Sequence, residues 1–420
     1  MSGRQESAFG RRQALEVLAL GATQLLTAGT GWSGSEPGPR EAVADPYQGL
    51  DWSAAKHVGS GTHIHCRSQR ELEIMYRRGM RHLAISNYYP SAPCTREERE
   101  RQFFVEQPFC TIKGKGYVEE TFRWNEILAD PSTGWAETLP PELREKMPFQ
   151  VGGPIFHAIP DDVIICPNAE HHSTTDQSGH FNSVGSTFAS GNFDVRSKHK
   201  LADHGYLLGL GIPWKEAFDR ILGRLVYPDG GGITINHPVW SGQKLESVLA
   251  MLDHDPRVLG LEIWNHTCEQ LNGKGWALEM WDQVLATGRR CYGFSVSDHV
   301  QSTDPGFLGY NVLLIDPNVP AAELPHACLK AYRDGRFYCV LEGKVRFDAV
   351  RLREEMLTIE TSEPCRIRVV SAAGKVAEES GRRLEWHYAR GEMDRHRYLR
   401  VEADQIDGKD RLFSQPMHLI

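Results

Sequence analysis

His63-Ile64-His65 is the first place where residue type and spacing together suggest chemistry. On an extended strand residues i and i+2 face the same side, so both imidazoles can reach one metal ion. Taken alone, His-x-His is more often a pair of ordinary surface or core histidines. Clusters downstream supply the ligand types it lacks. Glu170 follows the apolar run Val163-Ile164-Ile165-Cys166, and His180 comes ten residues later. His237 follows Ile233-Thr234-Ile235, and Asp298 follows a run from Cys291 to Val296. A carboxylate able to bridge two cations, several imidazoles and a terminal aspartate make a nitrogen and oxygen site suited to Zn²⁺, Mn²⁺ or Fe²⁺.

These residues need strands to carry them, and the chain from about Lys56 to Arg346 repeats one pattern: amphipathic helix, tight turn, short apolar strand, polar cluster. Helical spacing predicts helices over Glu71 to Arg78, Trp214 to Tyr227, Leu245 to Leu252 and Trp276 to Ala286. Strands are predicted at His82 to Ser86, Ile233 to Ile235, Val258 to Asn265 and Cys291 to Val296. Alternating helices and strands with polar residues at the strand ends predict a βα-barrel over 45–346, its site on that face. The stretch 90–149, rich in charge and aromatics, reads as an insertion beside the site mouth. From residue 347 helical spacing fades and segments such as Arg366 to Val370 and Tyr398 to Glu402 alternate in polarity, which predicts a small antiparallel β module over 347–420.

Composition bounds the function. The 420 residues carry 47 Lys+Arg against 55 Asp+Glu, a formal charge of −8, which argues against nucleic acid as a partner. No charge-free run of about 18 apolar residues occurs, which excludes a multi-span membrane protein. Nine cysteines without a Cys-x-x-Cys speak against a thiolate zinc site and a disulfide framework. Near the start, Phe9-Gly10-Arg11-Arg12, a mildly apolar stretch from Ala14 to Ala28 and Ala42-Val43-Ala44 resemble a twin-arginine export signal. The expectation is that 1–44 is removed and the protein works outside the cytoplasm with no membrane anchor. A disordered tail is the alternative.

In their order these motifs resemble the polymerase and histidinol phosphatase (PHP) superfamily of metal-dependent hydrolases. The resemblance is carried by His63-Ile64-His65, Glu170 with Gly179-His180-Phe181-Asn182, Asn236-His237-Pro238, Gly260 to Asn265, and Gly293 to Asp298. The segment from Tyr398 to Ile420 is similar to the C-terminal strand module of the carbaryl-hydrolase type within it. The resemblance implies an α/β fold, a distorted seven-stranded (β/α)7 barrel, holding two or three divalent metal ions. It further implies hydrolysis of a small-molecule phosphate ester or, in the carbaryl-hydrolase branch, of a carbamate ester. Carried over residue by residue, it puts His63, His65, Glu170 and Asp298 on one ion and Glu170, His180 and His237 on another.

Departures from the family pattern narrow this to two ions. Ser86-Asn87-Tyr88 stands where the family has Asp-His, and Asp298-His299-Val300 where it ends on Asp-x-His. After the opening motif, Cys66-Arg67-Ser68-Gln69 offers only a thiol. Asp298 and His299 are the catalytic candidates, His299 as an acid or as a ligand in the vacated place. Glu262 and Asn265 either close the rim of the fold by hydrogen bonds or touch substrate. Asn87, Arg196 and Lys198 are further substrate candidates, a solvated loop being the plainer reading of the two cations. The expected function is a metal-dependent phosphoesterase. A carboxyl or carbamate ester hydrolase and a non-catalytic metal- or ligand-binding module are the alternatives, and a polymerase-associated nuclease ranks lowest.

Overall fold

The computed structural model describes residues 43–66, 69–86, 111–112, 115–116, 159–171, 176, 179–186, 213–299, 309–388 and 393–419. The first half contains β1 (Val43–Ala44), β2 (Lys56–His65), α1 (Gln69–Arg77), β3 (Met80–Ile85), β4 (Thr111–Ile112), β5 (Lys115–Gly116), β6 (Ile164–Cys166), β7 (Glu170–His171) and β8 (His180–Val184). Next come α2 (Trp214–Leu222), β9 (Gly232–Asn236), α3 (Leu245–Leu252), β10 (Val258–Asn265), α4 (His266–Asn272), α5 (Leu278–Ala286), β11 (Tyr292–Val296) and β12 (Asp298–His299). The remainder is strand-dominated: β13 (Tyr310–Ile315), α6 (Leu324–Asp334), β14 (Phe337–Leu341), β15 (Phe347–Arg353), β16 (Met356–Ser371) and β17 (Gly374–His387). Short α7 (Met393–His396) precedes β18 (Tyr398–Gln405), β19 (Arg411–Ser414) and β20 (Met417–Leu419).

The barrel expected from the sequence is not what these elements build. Among the described residues the fold is a β-rich mixed α/β arrangement with a 13-stranded sheet, a 5-stranded sheet in the order β11-β10-β9-β8-β7, and the β4–β5 pair. A βα-barrel requires every neighbouring pair to be parallel and the sheet to close. Here β2 is parallel to β3 and antiparallel to β13, while β7, β8 and β9 run antiparallel in sequence. Nor do the strands after residue 346 form a small appended module, because β19 pairs with β14 and β20 with β1 within the large sheet. Periodicity sets which face of an element is buried, but it does not choose the partner or the direction of pairing.

Side-chain alternation along the strands creates the polar interior. Ile233 and Ile235 of β9 and Leu261 and Ile263 of β10 pack with Phe218 of α2, Met251 of α3 and Trp281 of α5. Each such buried side chain stabilises the fold by about 1.5–3 kcal/mol. Because neighbours on a strand point to opposite faces, the interleaved Thr234, Asn236 and Glu262 turn the other way, and all three are buried. On β2, Ile64 joins Leu72 and Met75 of α1 and Leu83 of β3. His63 and His65, one place to either side of it, therefore face the polar interior.

Candidate metal centre

The centre lies where the two sheets meet. The large sheet supplies His63 and His65 at the end of β2, and Asp298 on β12, which pairs in parallel with β2 at Ile64 and His65. The five-stranded sheet supplies Glu170 on β7, His180 on β8, His237 just past β9 and Glu262 on β10. Between Val296 and Asp298 the chain passes from β11 of one sheet to β12 of the other. Asp298 has φ 64° and His237 φ 24°, both in the left-handed region. Side chains other than glycine rarely adopt it, and it recurs at functional sites.

Two sets of donor atoms face each other across Glu170. In the first, His63 Nε2 and His65 Nε2 are 3.2 Å apart. Glu170 Oε2 lies 3.3 and 3.0 Å from them, and Asp298 Oδ1 lies 3.2 Å from each. Ligand atoms about 2.0–2.2 Å from one ion at tetrahedral angles stand about 3.3–3.6 Å apart, so these separations approach those of a coordination shell. In the second, Glu170 Oε1 lies 3.1 Å from His180 Nδ1 and 3.2 Å from His237 Nε2. One carboxylate thus gives an oxygen to each set. Among the described residues four trios have the spacing that could hold a metal ion: His63, His65 and Glu170; Glu170, His180 and His237; His63, His237 and Asp298; and His65, Asp298 and His299.

Behind the ligands stands a layer of support. Glu262 Oε1 accepts from His63 Nδ1 at 2.7 Å, which favours a proton on Nδ1 and would leave Nε2 as the nitrogen offered to a bound ion. Glu262 Oε2 accepts from the His237 backbone N–H at 2.8 Å and from Asn265 Nδ2 at 2.9 Å. The same Asn265 nitrogen reaches Asp298 Oδ2 at 3.2 Å, while the Asn265 side-chain oxygen caps α4 by accepting from the Cys268 N–H. Ser241 Oγ lies 3.0 Å from His237 Nδ1. The ring of Trp240 meets those of His237 and His180 edge-on, with centroids 4.9 and 5.6 Å away.

Electrostatics favours a cation. Glu170, Glu262 and Asp298 are 1%, 1% and 4% exposed, so three carboxylates share one dry region. Like charges gathered away from water are costly unless cationic partners compensate them. Burial would depress the His63 pKa, but the Asp298, Glu170 and Glu262 carboxylates outweigh it and hold it well above the ordinary value. His237 is raised for the same reason, with Glu170 the leading attraction against burial. Burial would raise Asp298, and His63 and His299 overcome it, leaving its carboxyl well below the ordinary range. Asp298 Oδ1 is itself buried without a hydrogen-bond donor in good geometry. Imidazole and carboxylate donors, a carboxylate oxygen lacking a donor and a surplus of negative charge fit a divalent ion of the borderline class.

The structure brings together His63, His65, Glu170, His180, His237 and Asp298. His299 stands beside them, stacked on His65 at 4.4 Å between centroids, 29% exposed at its side chain and 3.6 Å from Asp298 Oδ1. Its backbone N–H donates to Thr267 Oγ1 at 3.1 Å. Glu262 and Asn265 are buried among the ligands. Asn87, Arg196 and Lys198 lie outside the described residues, as does nearly all of 90–149 and the segment 1–42. The roles of Ser241, Thr267 and Trp240 carry no signal in the sequence beyond their nearness to His237 and His266. No protein-family model, curated protein or solved structure matches the chain.

Proposed function

We propose that this chain is a metal-dependent hydrolase of ester bonds with a two-cation centre, phosphate monoesters being the favoured substrates. The observation that carries this reading is the division of Glu170, one oxygen 3.0 Å from His65 Nε2 and the other 3.1 Å from His180 Nδ1. A carboxylate serving two ligand sets is what holds a pair of cations at short range, and the order of motifs resembling the PHP family supports the same conclusion. Two divalent ions supply an activated water at neutral pH and offset the charge that develops during in-line displacement. The chain's own residues supply the rest. Glu262 fixes the His63 tautomer, Asn265 orients Asp298, and His299, partly open to solvent, is placed to give a proton to the departing oxygen.

The test is elemental analysis beside turnover of p-nitrophenyl phosphate, before and after dialysis against a chelator. About two ions per chain and activity that vanishes on stripping and returns with Zn²⁺ or Mn²⁺ are expected. Full activity in the stripped protein would overturn the reading. Two bound ions with no turnover of phosphate, carboxyl or carbamate esters would make the chain a binding module instead.

A further inference from the structure

The strand leading into Asp298 is β11, the end strand of the five-stranded sheet, bonded along one edge to β10. On a strand the N–H and C=O of one residue share an edge, and residue i+2 uses that edge again. The free edge of β11 presents Gly293 and Ser295. Two side-chain amides from the large sheet occupy it. Gln415, between β19 and β20, accepts from the Gly293 N–H at 2.9 Å and donates to the Gly293 C=O at 2.9 Å. Asn311 of β13 accepts from the Ser295 N–H at 3.1 Å and donates to the Ser295 C=O at 3.2 Å. Each amide reproduces the paired bonds that a neighbouring strand would make.

Both amides are fully buried and themselves held. The Gln415 backbone N–H donates to the Tyr47 hydroxyl at 2.8 Å, and that hydroxyl donates to the Phe337 C=O at 2.7 Å. Ser295 Oγ donates to the Val340 C=O at 3.0 Å, and Cys339 Sγ donates to the Gly293 C=O at 3.1 Å, so β14 grips the same edge. Three residues beyond Ser295 comes Asp298, whose left-handed backbone leaves little slack. We infer that Gln415 and Asn311 are positioning residues for the first ligand set: they fix the lateral placement of β11 on the large sheet and so set Asp298 Oδ1 at 3.2 Å from both His63 and His65. His180 lies on β8 and His237 just past β9, away from β11, so the second set does not depend on this stitch.

This inference rests on the two-ion reading above for the identity of the ligands, and its test separates the two. Gln415→Met keeps the length and volume of the side chain and removes both bonds to Gly293. In titrations of the stripped protein with Zn²⁺, it should raise the dissociation constant of one ion by about tenfold or more and leave the other unchanged, the range seen when support behind a ligand is lost. Asp298→Ala should give the same pattern, and in the Co²⁺-loaded protein both variants should alter the visible absorption of one ion alone. If Gln415→Met does not fold, Gln415→Glu, which keeps the acceptor for the Gly293 N–H, decides by the same titration. Two ions held at native affinity by the folded variant would overturn the positioning role while leaving the centre intact. A native protein that binds no ion would overturn both.

Discussion

Glu262 stands 2.7 Å behind His63, its carboxylate on the imidazole nitrogen that faces away from the first donor set. The other Glu262 oxygen holds the backbone of His237, a residue of the second set. One buried acid therefore fixes a tautomer on one side of the centre and a main-chain position on the other. It never needs to touch an ion.

Glu262→Gln should accordingly act on both sets. The amide cannot accept from both His63 and the His237 N–H with full charge, so metal affinity should fall about 10- to 100-fold at each ion while the fold persists. Titration of the stripped variant with Zn²⁺ checks this. Native affinity for both ions would remove Glu262 from the centre's support.

Glu170→Gln should behave differently. With the shared negative charge gone, the mutual repulsion of two close cations is uncompensated, and at least one ion should leave together with activity. Elemental analysis showing two ions still bound would exclude a bridging role for Glu170.

For His299→Ala the metal content should stay at the native level, because the first set retains His63, His65, Glu170 and Asp298. Turnover should drop by about 10² to 10⁴ on an alkyl phosphate, and much less on p-nitrophenyl phosphate, whose leaving group needs no proton. Loss of an ion would recast His299 as a ligand. Equal loss on both substrates would argue against proton donation.

Stability should fall with acid for a reason unrelated to the centre. Burial pushes His82 from the ordinary 6.5 down to about 3. Burial, aided by Arg290, pushes His418 down to about 4. Both stay neutral when folded, whereas the unfolded chain takes up their protons below pH 6.5. Their contribution is thus fully present above pH 6.5 and is lost as pH falls through 6.5 toward 4 for His418 and toward 3 for His82. Each costs about 1.4 kcal/mol per pH unit in that window. In metal-free protein, His82→Asn should be less stable at pH 7, since Ser60 loses its 2.7 Å imidazole partner. Its urea midpoint should also change less between pH 6.5 and 5 than that of the native chain. Parallel pH profiles would refute this origin.

Much of the centre was legible because its ligands end apolar runs. His237 follows Ile233-Thr234-Ile235 and Asp298 follows the run to Val296, and strand ends are where a buried strand delivers side chains into a common interior. Helix α3 and strand β10 span the ranges their periodicity predicts. Helix α2 stops at Leu222, five residues short, because Gly223 ends it. What the sequence hid is pairing. Nothing in Lys56 to Ser60 says that β13 runs antiparallel beside it, and nothing in Gln415 says that its amide completes the edge of β11. Such choices depend on residues hundreds of positions apart. Glu262 had a visible clue, a lone charge inside Gly260-Leu261-Glu262-Ile263-Trp264, although its place behind His63 needed the fold.

The left-handed backbone at His237 and Asp298 has a consequence for how these positions can evolve. Such a conformation admits glycine and, among other residues, chiefly asparagine, aspartate and histidine; most others would be strained by about 1–3 kcal/mol. A borderline divalent ion, for its part, accepts histidine, aspartate, glutamate or cysteine. Aspartate and histidine meet both demands with least strain, and those are the residues found, although Glu342 and Glu354 of the same chain also take positive φ. Glu170 lies on a strand without that constraint, so a drift from glutamate to aspartate there is limited by reach alone. Across descendants of this chain, positions 237 and 298 should therefore favour aspartate and histidine over cysteine and glutamate even where the choice of metal relaxes.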